Sequence, residues 1–185
     1  MIRKINVNSK KDRKLIDRVS SKLFSSRYNN AFFQKDYVEG YLRDLKGETG
    51  REDMVTYISY RKDKILGFIS FYFDDPSNII NNVLIIGFGE SFSDSFLFAK
   101  DIYKSVEELI CRHNVFKIVF SSSTQSPMAK TYKKLVKKYK GRECGIFRNN
   151  IYNGESYEDE VFFEIECSNL KKNSKGDQLC LVEDV

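Results

Sequence analysis

A strand–helix–strand unit in the middle of the chain constrains the fold more than any other feature. The apolar run Ile79–Phe88 (IINNVLIIGF) is typical of a long strand that is buried on both faces. Apolar residues then recur at helical spacing across about Asp94–Arg112, and Phe116–Ser121 is again a compact strand. A helix between two strands of one sheet requires a crossover, and crossovers join parallel strands. The sequence therefore predicts a sheet that contains a parallel pair.

The segment upstream of this unit adds two helices and a hairpin. A short strand at Ile2–Val7 precedes two amphipathic helices, the first capped by Ser9 and the second stopped by Gly47. Hydrophobic alternation then indicates strands at Met54–Tyr60 and Ile65–Phe73, separated by a short polar turn. These two strands are expected to pair as a hairpin.

The downstream segment completes the sheet. Ser126 and Pro127 open a further helix, because a hydroxyl caps it and a proline fits its first position, and Gly141 ends it. Two last strands follow at about Arg142–Phe147 and Glu158–Glu166. The order β-α-α-β-β-β-α-β-α-β-β predicts an α/β (α+β) fold with a mixed sheet of about seven strands and helices on both faces.

Length and charge are those of a single globular domain. The 185 residues fit one domain, expected over residues 1–167, with a polar tail at 168–185. Lys and Arg number 31 against 26 Asp and Glu, and so small an excess predicts no nucleic-acid partner but allows an anionic cofactor. The sequence has neither a signal-peptide core nor an apolar run long enough to span a membrane, so we expect a cytoplasmic protein without membrane association.

Histidine and cysteine usage excludes several mechanisms. The chain has one histidine, His113, and four cysteines without C-x-x-C spacing. A structural zinc site needs several ligands at short spacing, so no metal site is predicted. A Ser-His-Asp mechanism or a thiol nucleophile would need a suitably placed histidine, which this chain does not offer.

Three motifs, in their order along the chain, point to a known family. The hairpin segment Lys64–Ile69 (KILGFI) is similar to a D-G-x-I-V-G-F hairpin, and Gln125–Val136 (QSPMAKTYKKLV) is similar to an N-x-x-A-x-x-x-Y-x-K-L-G helix. The loop at Asn153 and Gly154 leads into the last strand in the same way. Together with the element order, these motifs resemble the GNAT superfamily of acyl-CoA-dependent N-acyltransferases over about residues 1 to 166, nearly the whole of one domain.

This resemblance implies transfer of an acyl group from acetyl-CoA to a primary amine by direct attack in a ternary complex. Tyr132 matches the family's tyrosine, a general acid that protonates the departing thiolate. It also fits the apolar stripe of its helix, where it would only pack. Glu90, at the end of the long strand, is the candidate base that takes a proton from the amine, although a solvent-facing glutamate at a strand end explains it as well.

The coenzyme is expected where the long strand meets the next helix. In the family, small residues there let backbone N–H groups close on the pyrophosphate. Here the segment Gly89–Leu97 lacks the paired glycines and places Asp94 where a carboxylate competes with a phosphate for the same amides. The residues predicted to bind acetyl-CoA are Gly87, Phe88, Gly89, Ser91, Ser93, Ser95 and Gln125.

Three functions remain open on this reading. The first is the N-acetyltransferase, with a small-molecule or peptide amine as acceptor. The second is a non-catalytic GNAT-fold binding or regulatory module that has lost the pyrophosphate loop. The third is an unrelated α/β domain that binds an acidic partner through the lysines of Lys130–Lys140, which also fit a solvated helix face. A monomer or a homodimer is expected.

Overall fold

A mixed sheet of seven strands, in the order β1-β2-β3-β4-β5-β7-β6, organises the chain. A computed structural model describes residues 1–25, 35–62, 64–74, 77–88, 91–152 and 155–167. The strands are β1 (Ile2–Lys4), β2 (Met54–Arg61), β3 (Lys64–Asp74), β4 (Ile79–Gly87), β5 (Lys117–Ser123), β6 (Arg142–Tyr152) and β7 (Tyr157–Glu166). The helices are α1 (Lys10–Ser25), α2 (Lys35–Leu45), α3 (Phe92–Arg112) and α4 (Pro127–Lys138). The predicted element order and the mixed α/β fold are confirmed.

Local capping groups set the helix ends near the predicted positions. Ser91 Oγ accepts a hydrogen bond from the Asp94 amide at 3.1 Å, so α3 begins two residues before the predicted start at Asp94. Ser126 Oγ accepts from the Met128 amide at 3.2 Å and caps α4. Gly47, just after α2, has a φ of 71°, the left-handed conformation that commonly ends a helix.

The helices cover the sheet on both faces and bury two hydrophobic cores. The first core lies under α3 and α4 and includes Ile69, Phe71, Ile102, Leu109, Phe120, Tyr132, Leu135 and Phe163. The second core lies under α1 and α2 and includes Ile5, Ile16, Leu42, Leu45, Ile58, Phe68, Ile86 and Phe88. The first core reaches strands on both sides of the sheet centre, so α3 and α4 hold the two halves together.

β4 and β5 run parallel, as the crossover predicts, but only briefly. Within the described strands, their register pairs are Ile79 with Lys117 and Ile80 with Ile118. β5 is paired along its other edge with β7 from Lys117 to Ser123. The two strands therefore separate beyond Ile80 and Ile118, and we call the resulting gap the β4–β5 seam.

Three details of the strands differ from prediction, the first being that β1 ends at Lys4 and not at Val7. Asn81 and Asn82 of β4 are exposed, so burial on both faces is wrong for this part of the run, which lies beyond the last register pair with β5. β6 extends to Tyr152 and not only to Phe147, although its register with β7 shifts between Phe147 and Ile151. Asn149, with a φ of 51°, lies within this irregular stretch, which has no regular alternation to indicate a strand.

Candidate active site

Tyr132 of α4 points across the β4–β5 seam. Its side chain is only 3% exposed, and its hydroxyl donates a hydrogen bond to the Val83 carbonyl of β4 at 3.4 Å. Val83 lies beyond the last β4–β5 pair, so this carbonyl faces the gap and not a neighbouring strand. The tyrosine thus belongs to the apolar stripe of α4 and also carries a hydroxyl into the seam.

Burial holds the Tyr132 hydroxyl in its protonated form. Removal of the phenol from water disfavours the phenolate and raises the pKa of Tyr132 above its ordinary value of 10.0. The side chain therefore keeps its proton at neutral pH. A phenol in this state can donate a proton to a more basic group beside it, which is what a general acid must do.

The end of β4 is tightly packed. Phe88 is buried, its ring meets the Phe68 ring edge-on at a centroid distance of 5.6 Å, and its amide donates to the Leu66 carbonyl at 2.8 Å. A Cβ added at Gly87 would lie 3.2 Å from the Phe98 ring of α3. Gly87 and Phe88 thus connect β4 to both helical layers. The predicted residues Gly89 and Glu90 lie outside the described part of the chain.

The first turn of α3 is polar and carries a neutralised carboxylate. Ser91, Ser93 and Ser95 are exposed, and Ser95 Oγ donates to the Ser91 carbonyl at 3.1 Å. The carboxylate of Asp94 accepts a hydrogen bond from Lys64 Nζ at 2.7 Å, across from the start of β3. The Asp94 carboxylate, which was expected to oppose a phosphate, is therefore balanced by Lys64. Lys64 is not among the residues predicted from the sequence.

The C-terminal end of β5 carries hydroxyl groups paired with carboxylates of β7. Ser121 Oγ donates to Glu160 Oε1, and Ser123 Oγ donates to Glu158 Oε2. Glu160 also accepts from the Asn150 side-chain amide of β6. Neither glutamate is among the predicted site residues. The sequence signal that could have indicated them is the run of serines at the end of β5, whose hydroxyl groups bind them.

Gln125 and the lysines of α4 complete the predicted set. The Gln125 side chain is exposed at the start of α4, and its amide donates to Ser123 Oγ at 3.1 Å. Two of the α4 lysines bind carboxylates: Lys138 contacts Glu107 at 2.9 Å, and Lys133 contacts Glu143 at 3.3 Å. Much of the lysine face is therefore a solvated helix surface with partial charge compensation.

These features fit the parts of an acyl-coenzyme A molecule. The seam leaves an edge of β4 without a strand partner, which an extended chain with amide groups can pair with, and the Val83 carbonyl faces it. The serine hydroxyls and backbone amides at the start of α3 suit an anion, since the helix dipole and the Lys64 side chain offset the charge of Asp94. Among the described residues, no group of three or more His, Cys, Asp or Glu side chains is arranged to hold a metal ion.

Comparison with known proteins identifies the fold. No protein-family model and no curated protein matches the sequence. Among solved structures, the spermidine N-acetyltransferase of Vibrio cholerae in complex with CoA and spermine matches with a TM-score of 0.64 and 14% identity, over 91% of this chain and 96% of that one. A Salmonella typhimurium acetyltransferase that modifies the N-terminal serine of a 50S ribosomal subunit protein matches with a TM-score of 0.64 and 10% identity, over 89% and 93%.

An aminoglycoside 6'-acetyltransferase of type Ii is also similar, with a TM-score of 0.62, 11% identity and coverage of 90% of this chain and 97% of that one. These matches span nearly the full length of each chain, so they concern the whole architecture and not a shared motif.

No helix in the described part of the chain is long and apolar enough to cross a membrane. The chain has the fold of the GNAT N-acetyltransferases.

Proposed function

We propose that this protein is an N-acetyltransferase that moves an acetyl group from acetyl-CoA to a primary amine. The observation that carries the proposal is the buried Tyr132 hydroxyl, which reaches the open edge of β4 in the seam. The structurally similar proteins, which include a spermidine N-acetyltransferase and an aminoglycoside 6'-acetyltransferase, support the reaction class.

The proposed reaction proceeds by direct attack, with the amine and the thioester held together. The neutral amine nitrogen forms a bond to the acetyl carbonyl carbon, the carbon–sulfur bond breaks, and the electron pair leaves with the sulfur. Tyr132 donates its proton to that sulfur. Glu90, directly or through water, takes one proton from the acceptor's ammonium group before the attack, and the second proton that the nitrogen loses after the attack restores the Tyr132 hydroxyl. The products are an acetylated amine and a free thiol, so atoms and charges balance.

The donor is proposed to lie along β4 and the first turn of α3. Backbone groups near Gly87, Phe88 and Gly89 would pair with its extended arm, and Ser91, Ser93 and Ser95 would meet its phosphates. Gln125 is proposed to contact the donor from the start of α4. Lys64 joins this set because its ammonium group already neutralises the carboxylate at the helix start.

The acceptor is proposed to be a cationic amine that approaches the carboxylates of β7. Glu158 and Glu160 are held by serines of β5, next to the end of the seam. Carboxylates fixed in this way can attract an ammonium group and orient it. A polyamine, an aminoglycoside and a peptide with a free N-terminus are the acceptors to compare.

The proposal is tested by measuring thiol release from acetyl-CoA with these three acceptor classes. Tyr132→Phe removes the proposed acid without changing the ring, and we expect kcat to fall by roughly 10²-fold, the lower end of general acid catalysis. Tyr139→Phe is the matched control, because Tyr139 follows the same helix and its hydroxyl binds Glu107 and not the seam. Unchanged turnover in Tyr132→Phe would remove the general-acid role.

Binding decides between an enzyme and a module that has lost the donor. Calorimetric titration of the intact protein with acetyl-CoA should give a dissociation constant below the millimolar range. No binding at millimolar donor would contradict the enzyme and favour the non-catalytic GNAT-fold module.

A further inference from the structure

Phe120 of β5 packs against the Tyr132 ring. The two ring centroids are 4.7 Å apart, and the planes meet at 67°. Phe163, the register partner of Phe120 on β7, stacks on Phe120 at 5.6 Å and lies 5.9 Å from the Tyr132 ring. We call these three rings the aromatic triad; within it, Phe120 is the nearer neighbour of Tyr132.

The hydrogen bond of Tyr132 is too long to fix the side chain by itself. The distance from its hydroxyl oxygen to the Val83 carbonyl oxygen is 3.4 Å, whereas hydrogen bonds from hydroxyl groups usually span about 2.5–3.0 Å. The ring, in contrast, meets both phenylalanines edge-to-face, the arrangement that aromatic quadrupoles favour. The direction of the hydroxyl group therefore depends mainly on the packing of the ring.

Phe120 stands on the β5 wall of the seam, and the Val83 carbonyl stands on the β4 wall. Phe120 follows closely after Ile118, the last β5 residue paired with β4, and Val83 follows Ile80 in the same way. Both Phe120 and Tyr132 are almost fully buried, at 2% and 3% exposure. A change at Phe120 would thus let the Tyr132 ring tilt toward β5 and would draw its hydroxyl away from β4.

We propose that Phe120 is a positioning residue for acyl transfer, whose ring holds the Tyr132 hydroxyl group against the β4 wall of the seam. The kinetic consequence rests on the proposed function, because it requires Tyr132 to act as the acid. The orientation itself does not, and it is measurable in the protein without any substrate.

The orientation is tested by NMR of protein labelled with ¹³C at the tyrosine Cζ and Cε atoms: the Cζ resonance reports the surroundings of the hydroxyl group, and the two Cε resonances, which exchange when the ring turns by 180°, report the flip rate. The Tyr132 resonance is identified by its absence in Tyr132→Phe. We expect Phe120→Leu, and the similar-sized Phe120→Met in case the first variant folds poorly, to shift this resonance and to speed the flipping of the Tyr132 ring. Phe68→Leu is the matched control, since Phe68 is equally buried but belongs to the second core. A Tyr132 resonance and flip rate that stay as in the wild type in both Phe120 variants would overturn the proposal.

The kinetic part is tested with a double-mutant cycle. Phe120→Leu should lower kcat by about tenfold with little change in KM for acetyl-CoA, because a small displacement of a catalytic group costs rate and not donor affinity. In the Tyr132→Phe background the same change should cause no further loss. An equal loss in both backgrounds would show that Phe120 acts only on stability and would overturn the positioning role. If the wild type transfers no acetyl group, the proposed function fails, and the NMR result alone decides the inference.

Discussion

Gly67 of β3 is a position where one added methyl group should destabilise the protein strongly. A Cβ at Gly67 would lie 2.3 Å from the Ile86 carbonyl oxygen and 2.4 Å from Cζ of Phe98. The carbonyl cannot retreat, because Ile86 pairs with Phe68 in the β3–β4 register, and the Phe98 side chain of α3 is itself buried. Overpacking typically costs 1–3 kcal/mol, and contact with a backbone atom favours the upper end, so Gly67→Ala should lower the free energy of unfolding by about 3 kcal/mol.

Two other glycines provide a matched series. A Cβ at Gly87 would meet only the Phe98 ring, at 3.2 Å, and a side-chain ring can yield by a few tenths of an ångström. Gly87→Ala should therefore change stability by less than about 1 kcal/mol, since reduced freedom of the unfolded chain offsets the contact. Gly40, within α2, has no atom within 4 Å of its added Cβ, so Gly40→Ala should stabilise the protein by about 0.5–1 kcal/mol.

The assay is urea unfolding followed by circular dichroism, with the midpoint and the slope compared among the three variants. Adding Phe98→Leu should remove the whole of any stability loss caused by Gly87→Ala. It should remove only part of the loss caused by Gly67→Ala, because the Ile86 carbonyl remains in place. A Gly67→Ala protein that loses no more stability than Gly87→Ala, or that regains all of it with Phe98→Leu, would show that the Ile86 carbonyl is not the obstacle.

The series also separates packing from donor binding at Gly87. A Gly87→Ala protein of normal stability that binds acetyl-CoA more weakly would support the predicted contact with the donor. A protein of normal stability and normal affinity would assign this glycine to the docking of Phe98 alone.

Three further predictions concern charges and caps. The hydrogen bond from Arg3 is the main cause that lowers the pKa of the Asp12 carboxyl below 3.8, so the stability that this pair contributes is present above pH 3.8 and declines as the pH falls toward the lowered pKa. Asp12→Asn should therefore destabilise the protein by roughly 2 kcal/mol at pH 7, and by less at pH 3 than at pH 7, in urea titrations. Ser91→Ala removes the cap of α3 and should cost about 1 kcal/mol in the same assay, while Ser91→Gly should cost only a few tenths. Asp94→Asn frees Lys64 from its ion pair and should tighten acetyl-CoA binding several-fold in calorimetry, with a change in unfolding free energy below about 1 kcal/mol; weaker binding would mean that the carboxylate helps to hold the donor.

The sequence predicts the elements well because each carries a local signal. The apolar stripe of α3 and the capping serine before α4 are visible in short stretches of sequence. The crossover from β4 to β5 then requires a parallel pair. The contacts between elements depend on register, which no local pattern contains. Glu160 meets Ser121 only because β5 pairs antiparallel with β7, and Lys64 meets Asp94 only because β3 begins beside α3.

The seam between β4 and β5 connects the fold to the proposed chemistry. A sheet is most stable when neighbouring strands pair along their whole length, because each unpaired buried carbonyl or amide costs about 1–3 kcal/mol. This chain pairs β4 with β5 at only two positions and then directs a tyrosine hydroxyl at one of the carbonyls left over. The long hydrogen bond only weakly replaces a strand partner, so the edge is kept available to a ligand that can offer amides. The first core spans both halves of the sheet under α3 and α4, so the helices bridge the strands where direct pairing ends. The edge that this gap leaves unpaired is where the proposed donor would add its own amide groups to β4.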